Sequence, residues 1–257
     1  IFNKGLPPTI CSKFYSLFGD RVWGWPGHVV DTLAVLATLF GLATSLGLGA
    51  QRAAGGMGFL FDISSRLTTQ IIVIAGVTSV ALVSVLRGID GGVKELSHIN
   101  MVLALTLLLF VMFAGGMIAF FSNFGTTISG YTQYLLPLNN PIGREDDTFY
   151  HSWTIFFWTW WISWSPFVGM FIARVSKPLT IHEFILAVLI VPVLVTTVWM
   201  STFGGNGLDQ VRNQVGELAG GIGDSSLALF QMLENLPFTA ITSFLAILLA
   251  IGGSAAL

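Results

Sequence analysis

Six apolar runs, at about 22–49, 67–87, 100–122, 152–174, 180–203 and 236–257, dominate the chain. Each comes close to the roughly 20 helical residues needed to cross a hydrocarbon core of about 30 Å. Such runs leave few ways to fold. Lipid offers no partner to a backbone N–H or C=O, so each crossing must satisfy its own hydrogen bonds as a helix. The expected fold is therefore all-α, a polytopic helical membrane protein with six crossings. The last run is the weakest, because its apolar stretch is short and carries Gly252 and Gly253. Charged residues make up 9% of the chain, against about 25% in soluble domains. The 21 phenylalanines and 29 glycines suit helices that face lipid on one side and pack closely on the other.

The segments between the runs read as connections. The stretch with Pro137, Pro141, Glu145, Asp146 and Asp147, and the Gly-rich stretch 204–226, are expected outside the membrane. Orientation follows from Lys and Arg in short loops. If the first run starts in the cytoplasm, Lys4, Lys13, Arg21, Arg87, Lys94, Arg174 and Lys177 lie inside, while Arg52, Arg66, Arg144 and Arg212 lie outside. This is the favoured direction, and a multi-pass protein of the cell's inner (plasma) membrane is expected. Ile1 is not a methionine and no secretory signal precedes the first run. The chain is thus expected to be processed or to be a piece of a longer one. The run that stops at Leu257 without a basic flank favours a piece.

Residues 153–169 read WTIFFWTWWISWSPFVG, which places five of the eight tryptophans within twelve residues. At 100° per residue, Trp153, Trp160 and Trp164 share a narrow stripe, Trp161 stands beside it, and Trp158 points away. Indole faces attract a cation that has no proton to donate, so such a wall suits a quaternary ammonium group. Pro166 has no N–H and crowds the carbonyl four residues back, that of Ile162, so the helix is expected to kink or break there. Broken membrane helices commonly line transporter substrate sites. The competing reading is an interfacial aromatic belt with an ordinary proline kink. Against it, a belt supplies one or two rings per helix end, whereas these continue for three turns.

Other chemistry is sparse. His28 and Asp31 share a helix face and could pair as a proton relay, or else bond to headgroups and loops. Thr38, Thr44 and Ser45, with Gly41, Gly47 and Gly49, read as a helix-packing face. Gly55, Gly56 and Gly58 lack the setting and the lysine of a nucleotide loop and read as a connection between spans. His98, His151 and His182 lack metal-ligand spacing, and Cys11 is the single cysteine, so no metal site and no disulfide are expected. Ser163 and Ser165 have no nearby histidine base and form no nucleophile elbow. Hydrogen bonding within the interrupted helix is their expected work. A net charge of −2 and a pI near 6.1 give no footprint for nucleic acid.

The segment WTIFFWTWWISWSPFVGMFIARVS, 153–176, closely resembles the signature of the betaine/carnitine/choline transporter family. GDRVWGWPGHVVDTLAVLATLFGLATSLGLGAQ, 19–51, and TIHEFILAVLIVPVLVTTVWMSTFGG, 180–205, resemble further spans of that family. The resemblance implies part of the inverted five-helix-repeat secondary-transporter fold, about its middle half. On that mapping 1–122 ends the first repeat, 123–151 is an extracytoplasmic amphipathic linker helix, and 152–257 opens the second repeat. Trp161 matches an aromatic-box residue, with Trp160 and Trp164 lining the path beside it. Where the family's sodium site would have a Thr-Ser pair, the chain reads LLAIGGSAAL. A second ion position would involve Thr38 and Phe167, although Leu42 stands where another hydroxyl would be wanted. The resemblance also implies a homotrimer, with no cofactor beyond a Na+ coupling ion.

The function expected is transport of an onium solute (glycine betaine, choline, carnitine or dimethylsulfoniopropionate) by alternating access, coupled to an ion gradient or to exchange. No catalysis is expected. Two other readings compete: a truncated, transport-incompetent fragment, and a structural or channel-like membrane protein whose tryptophans only anchor and pack.

Overall fold

The computed structural model describes residues 5–7, 9–140, 142–143, 147–176 and 179–255. Ile1, Lys4, Pro141, Arg144, Glu145, Asp146, Lys177 and Leu257, used in the sequence reading, lie outside the described residues. Among the described residues every regular element is helical, and five helices are long and apolar enough to cross a membrane. The chain is an all-α, multi-pass membrane protein.

Helix α1, Trp25–Phe61, begins with Pro26 in its first turn, where a missing N–H costs nothing. It runs 37 residues, twelve beyond the expected end at 49. Gly55, Gly56 and Gly58 therefore lie inside a helix rather than in a connection, which corrects the sequence reading. Close packing explains it: a Cβ on Gly56 would collide with the Phe230 ring and come within 2.7 Å of Ile247 Cγ1. The true connection starts at Asp62, whose φ of 58° lies in the left-handed region that Asp tolerates.

Helix α2, Leu67–Leu86, matches its apolar run closely. A π-type turn at Ile89–Val93 leads into α3, Lys94–Ala114. The third run was expected at 100–122, yet the helix stops at Gly115 and a new one, α4, spans Met117–Asn139. Gly116, at φ +97°, makes the break; the apolar run continues across it and so hides it from hydropathy.

Helix α5, Phe156–Val175, follows a π-type stretch at Tyr150–Ile155. Helix α6 covers Ile181–Arg212 as one rod with π-type stretches at Leu186–Ile190 and Met200–Gly204. Its start is a capping box: the Glu183 N–H donates to Thr180 Oγ1, and the Thr180 N–H donates to the Glu183 carboxylate at 2.8 Å. The rod reaches well into the Gly-rich stretch expected to be extramembrane. Short helix α7, Ala228–Glu234, precedes α8, Thr239–Ala255. At 17 residues, α8 is an apolar helix shorter than the other five.

The chain divides into two compact units, Ile1–Thr44 with Tyr134–Leu189, and Ser45–Gln133 with Ile190–Leu257. The second unit holds a dense core: Leu107 and Val111 of α3, Phe230, Met232 and Leu233 of α7, and Ala246 and Ile247 of α8. Phe230 is 1% exposed and stacks on Phe59 with centroids 5.9 Å apart. A second cluster joins Ala50 and Ala53 of α1 to Val73 and Val77 of α2. In the first unit the chain before α1 is tied down by the Cys11 N–H, which donates to Asp31 Oδ1 at 2.9 Å.

Candidate functional site

The aromatic wall lies on α5, in the first unit. Helical spacing brings rings four apart into stacks: Trp153 on Phe157 at 6.0 Å and 13°, and Phe156 on Trp160 at 6.1 Å and 30°. Trp160 and Trp161 adjoin, with centroids 6.4 Å apart and planes inclined at 48°. Trp160 is half-buried while Trp161 is 63% exposed. The pair thus forms two inclined indole faces, one of them open. A cation within about 6 Å of an indole centroid feels the ring quadrupole, and two adjoining faces can share one trimethylammonium group.

Trp164, one turn on from Trp161, has a different setting. Its ring lies against Gly41 of α1, where a Cβ would come within 2.8 Å of Trp164 Cδ1 and 3.1 Å of Nε1. Only a glycine admits the indole edge so close to the α1 backbone. The buried Nε1–H has no hydrogen-bond acceptor among the described residues, and Phe167 meets the same ring edge-on at 5.9 Å and 81°. Gly41 was read in the sequence as a packing residue, and it packs; the indole as its partner had no local signal.

Around Pro166, where a kink or a break was expected, the helix does not break. α5 is continuous from Phe156 to Val175, with Pro166 inside. The reason is local: the Ser165 hydroxyl donates to the Ile162 carbonyl at 2.9 Å, which is the acceptor that the proline leaves without its N–H. Ser163 likewise donates back to the Thr159 carbonyl at 2.9 Å. Both serines therefore bond to their own helix, as an apolar surrounding requires.

Thr38 lies one turn before Gly41 on α1, and its hydroxyl donates to the Ala34 carbonyl at 2.8 Å. The proton is committed; the oxygen lone pairs can still accept or ligate. Asp31 bonds to the loop, its Oδ1 accepting from the Cys11 N–H at 2.9 Å. Cys11 is buried with its thiol 3.2 Å from the Thr9 hydroxyl, and burial pushes that thiol's pKa above its ordinary value. Among the described residues no three of His, Cys, Asp or Glu gather to hold a metal ion.

Comparison with known proteins gives one answer. The model of the BCCT family, described as betaine/carnitine/choline family transporter, matches residues 1–253. A glycine betaine/proline/choline/ectoine transporter of Vibrio parahaemolyticus is 57% identical over 249 residues, which cover 96% of this chain and 44% of the relative. Glycine betaine transporter 1 of the same organism is 58% identical over 254 residues, 97% of this chain and 48% of the relative. The glycine betaine transporter OpuD of Bacillus subtilis is 41% identical over 251 residues, 96% of this chain and 49% of the relative. The chain spans about half the length of the curated relatives it matches. With its tryptophan-lined helix and a family match over nearly every residue, this chain belongs to the betaine/carnitine/choline transporter family.

Proposed function

We propose that this chain contributes the onium-binding half of a secondary transporter that moves glycine betaine, choline or a related methylated solute by alternating access. The observation that carries the reading is the inclined Trp160–Trp161 pair, with one face open, on a membrane helix anchored through Trp164 at Gly41. Each indole face contributes about 0.5–2 kcal/mol to a desolvated cation. Two faces therefore supply a useful part of a millimolar to micromolar affinity, about 4–8 kcal/mol in total. The names of the relatives, all transporters of glycine betaine, support the solute class. The repeat assignment, with 1–122 closing one five-helix repeat and 152–257 opening the next, belongs to the same proposal.

Coupling to Na+ is proposed through Thr38 Oγ1 and the neighbourhood of Phe167, which lies beside the Trp164 contact on α5. Uptake of labelled glycine betaine by the full-length protein in vesicles tests both parts. Trp161→Leu is expected to raise the half-saturating concentration about tenfold, and Trp158→Leu to leave it unchanged. Replacing Na+ by K+ should abolish uptake, and Thr38→Ala should raise the Na+ requirement. Unaltered uptake in Trp161→Leu would overturn the cage; Na+-independent uptake would overturn the coupling alone.

A second reading rests on the 44–49% coverage of the relatives. The 257-residue chain taken alone is proposed to be transport-incompetent, because the cage and ion sites need partners from the rest of the fold. Vesicles holding only this chain should show no uptake above the empty control.

A further inference from the structure

Ahead of α1, residues 11–23 fold as short 3-10 and α turns that lie back on the first turns of that helix. The Cys11 N–H to Asp31 bond spans 20 residues and pins this segment in place. Between the segment and the helix remains a cavity of about 340 Å³, within the range of small-molecule sites. Its walls are almost entirely apolar, with Phe14, Phe18, Val22, Pro26 and Val30 among them, and Arg21 is its one cationic lining residue. The Arg21 guanidinium makes no ion pair or hydrogen bond with the described residues. The nearest carboxylates in sequence are engaged elsewhere: Asp20 accepts from the Tyr15 hydroxyl at 3.3 Å, and Asp31 from the Cys11 N–H.

Two further observations fix the surroundings. Trp23 and Trp25, both exposed, lie in sequence between the lining residues Val22 and Pro26 and mark headgroup level. Lys13, on the same segment, extends its ammonium over Gly169 of α5, 3.6 Å from where a Cβ there would stand. An apolar pocket at the membrane boundary, with an uncommitted guanidinium at its edge and an ammonium on the same segment, has the chemistry of a phospholipid. We propose that this cavity binds one anionic phospholipid, its acyl methylenes on the phenylalanine and valine side chains and its phosphate on Arg21. Guanidinium pairs with phosphate oxygens in a two-pronged fork. A zwitterionic headgroup would bring an ammonium up against Arg21, so net negative lipids are preferred. The Lys and Arg count puts this end of α1 at the cytoplasmic face, where anionic lipids bind basic segments.

The test uses the full chain in detergent, with native mass spectrometry and thermal unfolding in added dioleoyl phosphatidylglycerol or phosphatidylcholine. The proposal expects phosphatidylglycerol to be retained at least fivefold better and to raise the unfolding temperature. Arg21→Gln should bring its retention down to the phosphatidylcholine level. Arg174→Gln, an equal loss of charge outside the cavity, should change it less than twofold. Val30→Trp, which fills the cavity, should lower retention of both lipids, with its lipid-free unfolding temperature showing whether it folds; if it does not, Arg21→Gln decides. Equal retention of the two lipids, full retention by Arg21→Gln or by a folded Val30→Trp, or an equal loss in Arg174→Gln would overturn it.

Discussion

Helix α1 receives an aromatic ring at two glycines, one in each compact unit, and the two contacts differ in chemistry. At Gly56 it takes Phe230, 1% exposed and stacked on Phe59. At Gly41 it takes Trp164, whose buried N–H has no acceptor among the described residues and whose neighbour Trp161 is exposed. The first contact buries apolar area, within a unit where Ser84, Asn100, Gln231 and Ser243 each keep a buried side-chain oxygen without a hydrogen-bond partner among the described residues. The second keeps an unpaired polar group of a kind that costs about 1–3 kcal/mol when no partner is present. At Gly56 the contact is thus a phenyl ring with an aliphatic neighbour, and at Gly41 it is the N–H edge of an indole.

The largest effect should come from breaking the Phe230 contact. Phe230→Ala removes a fully buried ring and should cost about 3–5 kcal/mol of stability, read as a lowered unfolding midpoint in detergent, with tryptophan emission from α5 little changed until unfolding. Gly41→Leu should overpack the other contact at about 1–3 kcal/mol. Its signature is different, since displacing Trp164 should shift the emission of the folded protein itself. If both variants lose stability equally and neither alters emission, the distinction between the contacts fails.

Smaller changes sharpen the comparison. Ser165→Ala leaves the Ile162 carbonyl without its side-chain donor beside Pro166, at about 1 kcal/mol. Faster amide hydrogen exchange confined to α5 is the expected readout. The smallest effect concerns a loop of the packed unit. The Ser226 hydroxyl, then its backbone N–H, hold the Asp224 carboxyl below the usual carboxylate range. A lowered folded-state pKa gives stability that is present above the unfolded value of about 3.9 and lost as pH falls. Stability should thus be flat above about pH 5 and decline below pH 4, and Asp224→Asn should flatten that limb slightly.

Most of the architecture was legible because apolar runs of spanning length have only one backbone solution in lipid. Errors arose where tertiary contact overrides local preference. Gly55 and Gly56 read as a connection, since glycine disfavours helices in isolation, yet in this fold their missing side chains admit Ser226 and Phe230. The break at Gly116 was hidden because hydropathy is high on both sides of it. Pro166 predicted a kink or a break, and the helix stays unbroken with Ser165 donating to the Ile162 carbonyl, a compensation visible in sequence only once the proline's orphan acceptor is paired with the adjacent hydroxyl. The tryptophan stripe was legible from spacing. That Trp164 turns its edge to Gly41 while Trp161 stays open was not, for the partner lies more than a hundred residues away. The Asp31 contact with Cys11, twenty residues apart, was hidden for the same reason.

The central claim is that the Trp160 and Trp161 faces recognise a permanent methylated cation by its charge. Equilibrium tryptophan-quenching titrations of the full-length protein with choline, and with its neutral carbon isostere 3,3-dimethylbutan-1-ol, test this directly. The account predicts saturable quenching by choline at least tenfold tighter than by the isostere, with that preference lost in Trp161→Leu and kept in Trp158→Leu. Equal affinity for the charged and neutral ligands, or a preference that survives Trp161→Leu, would contradict it.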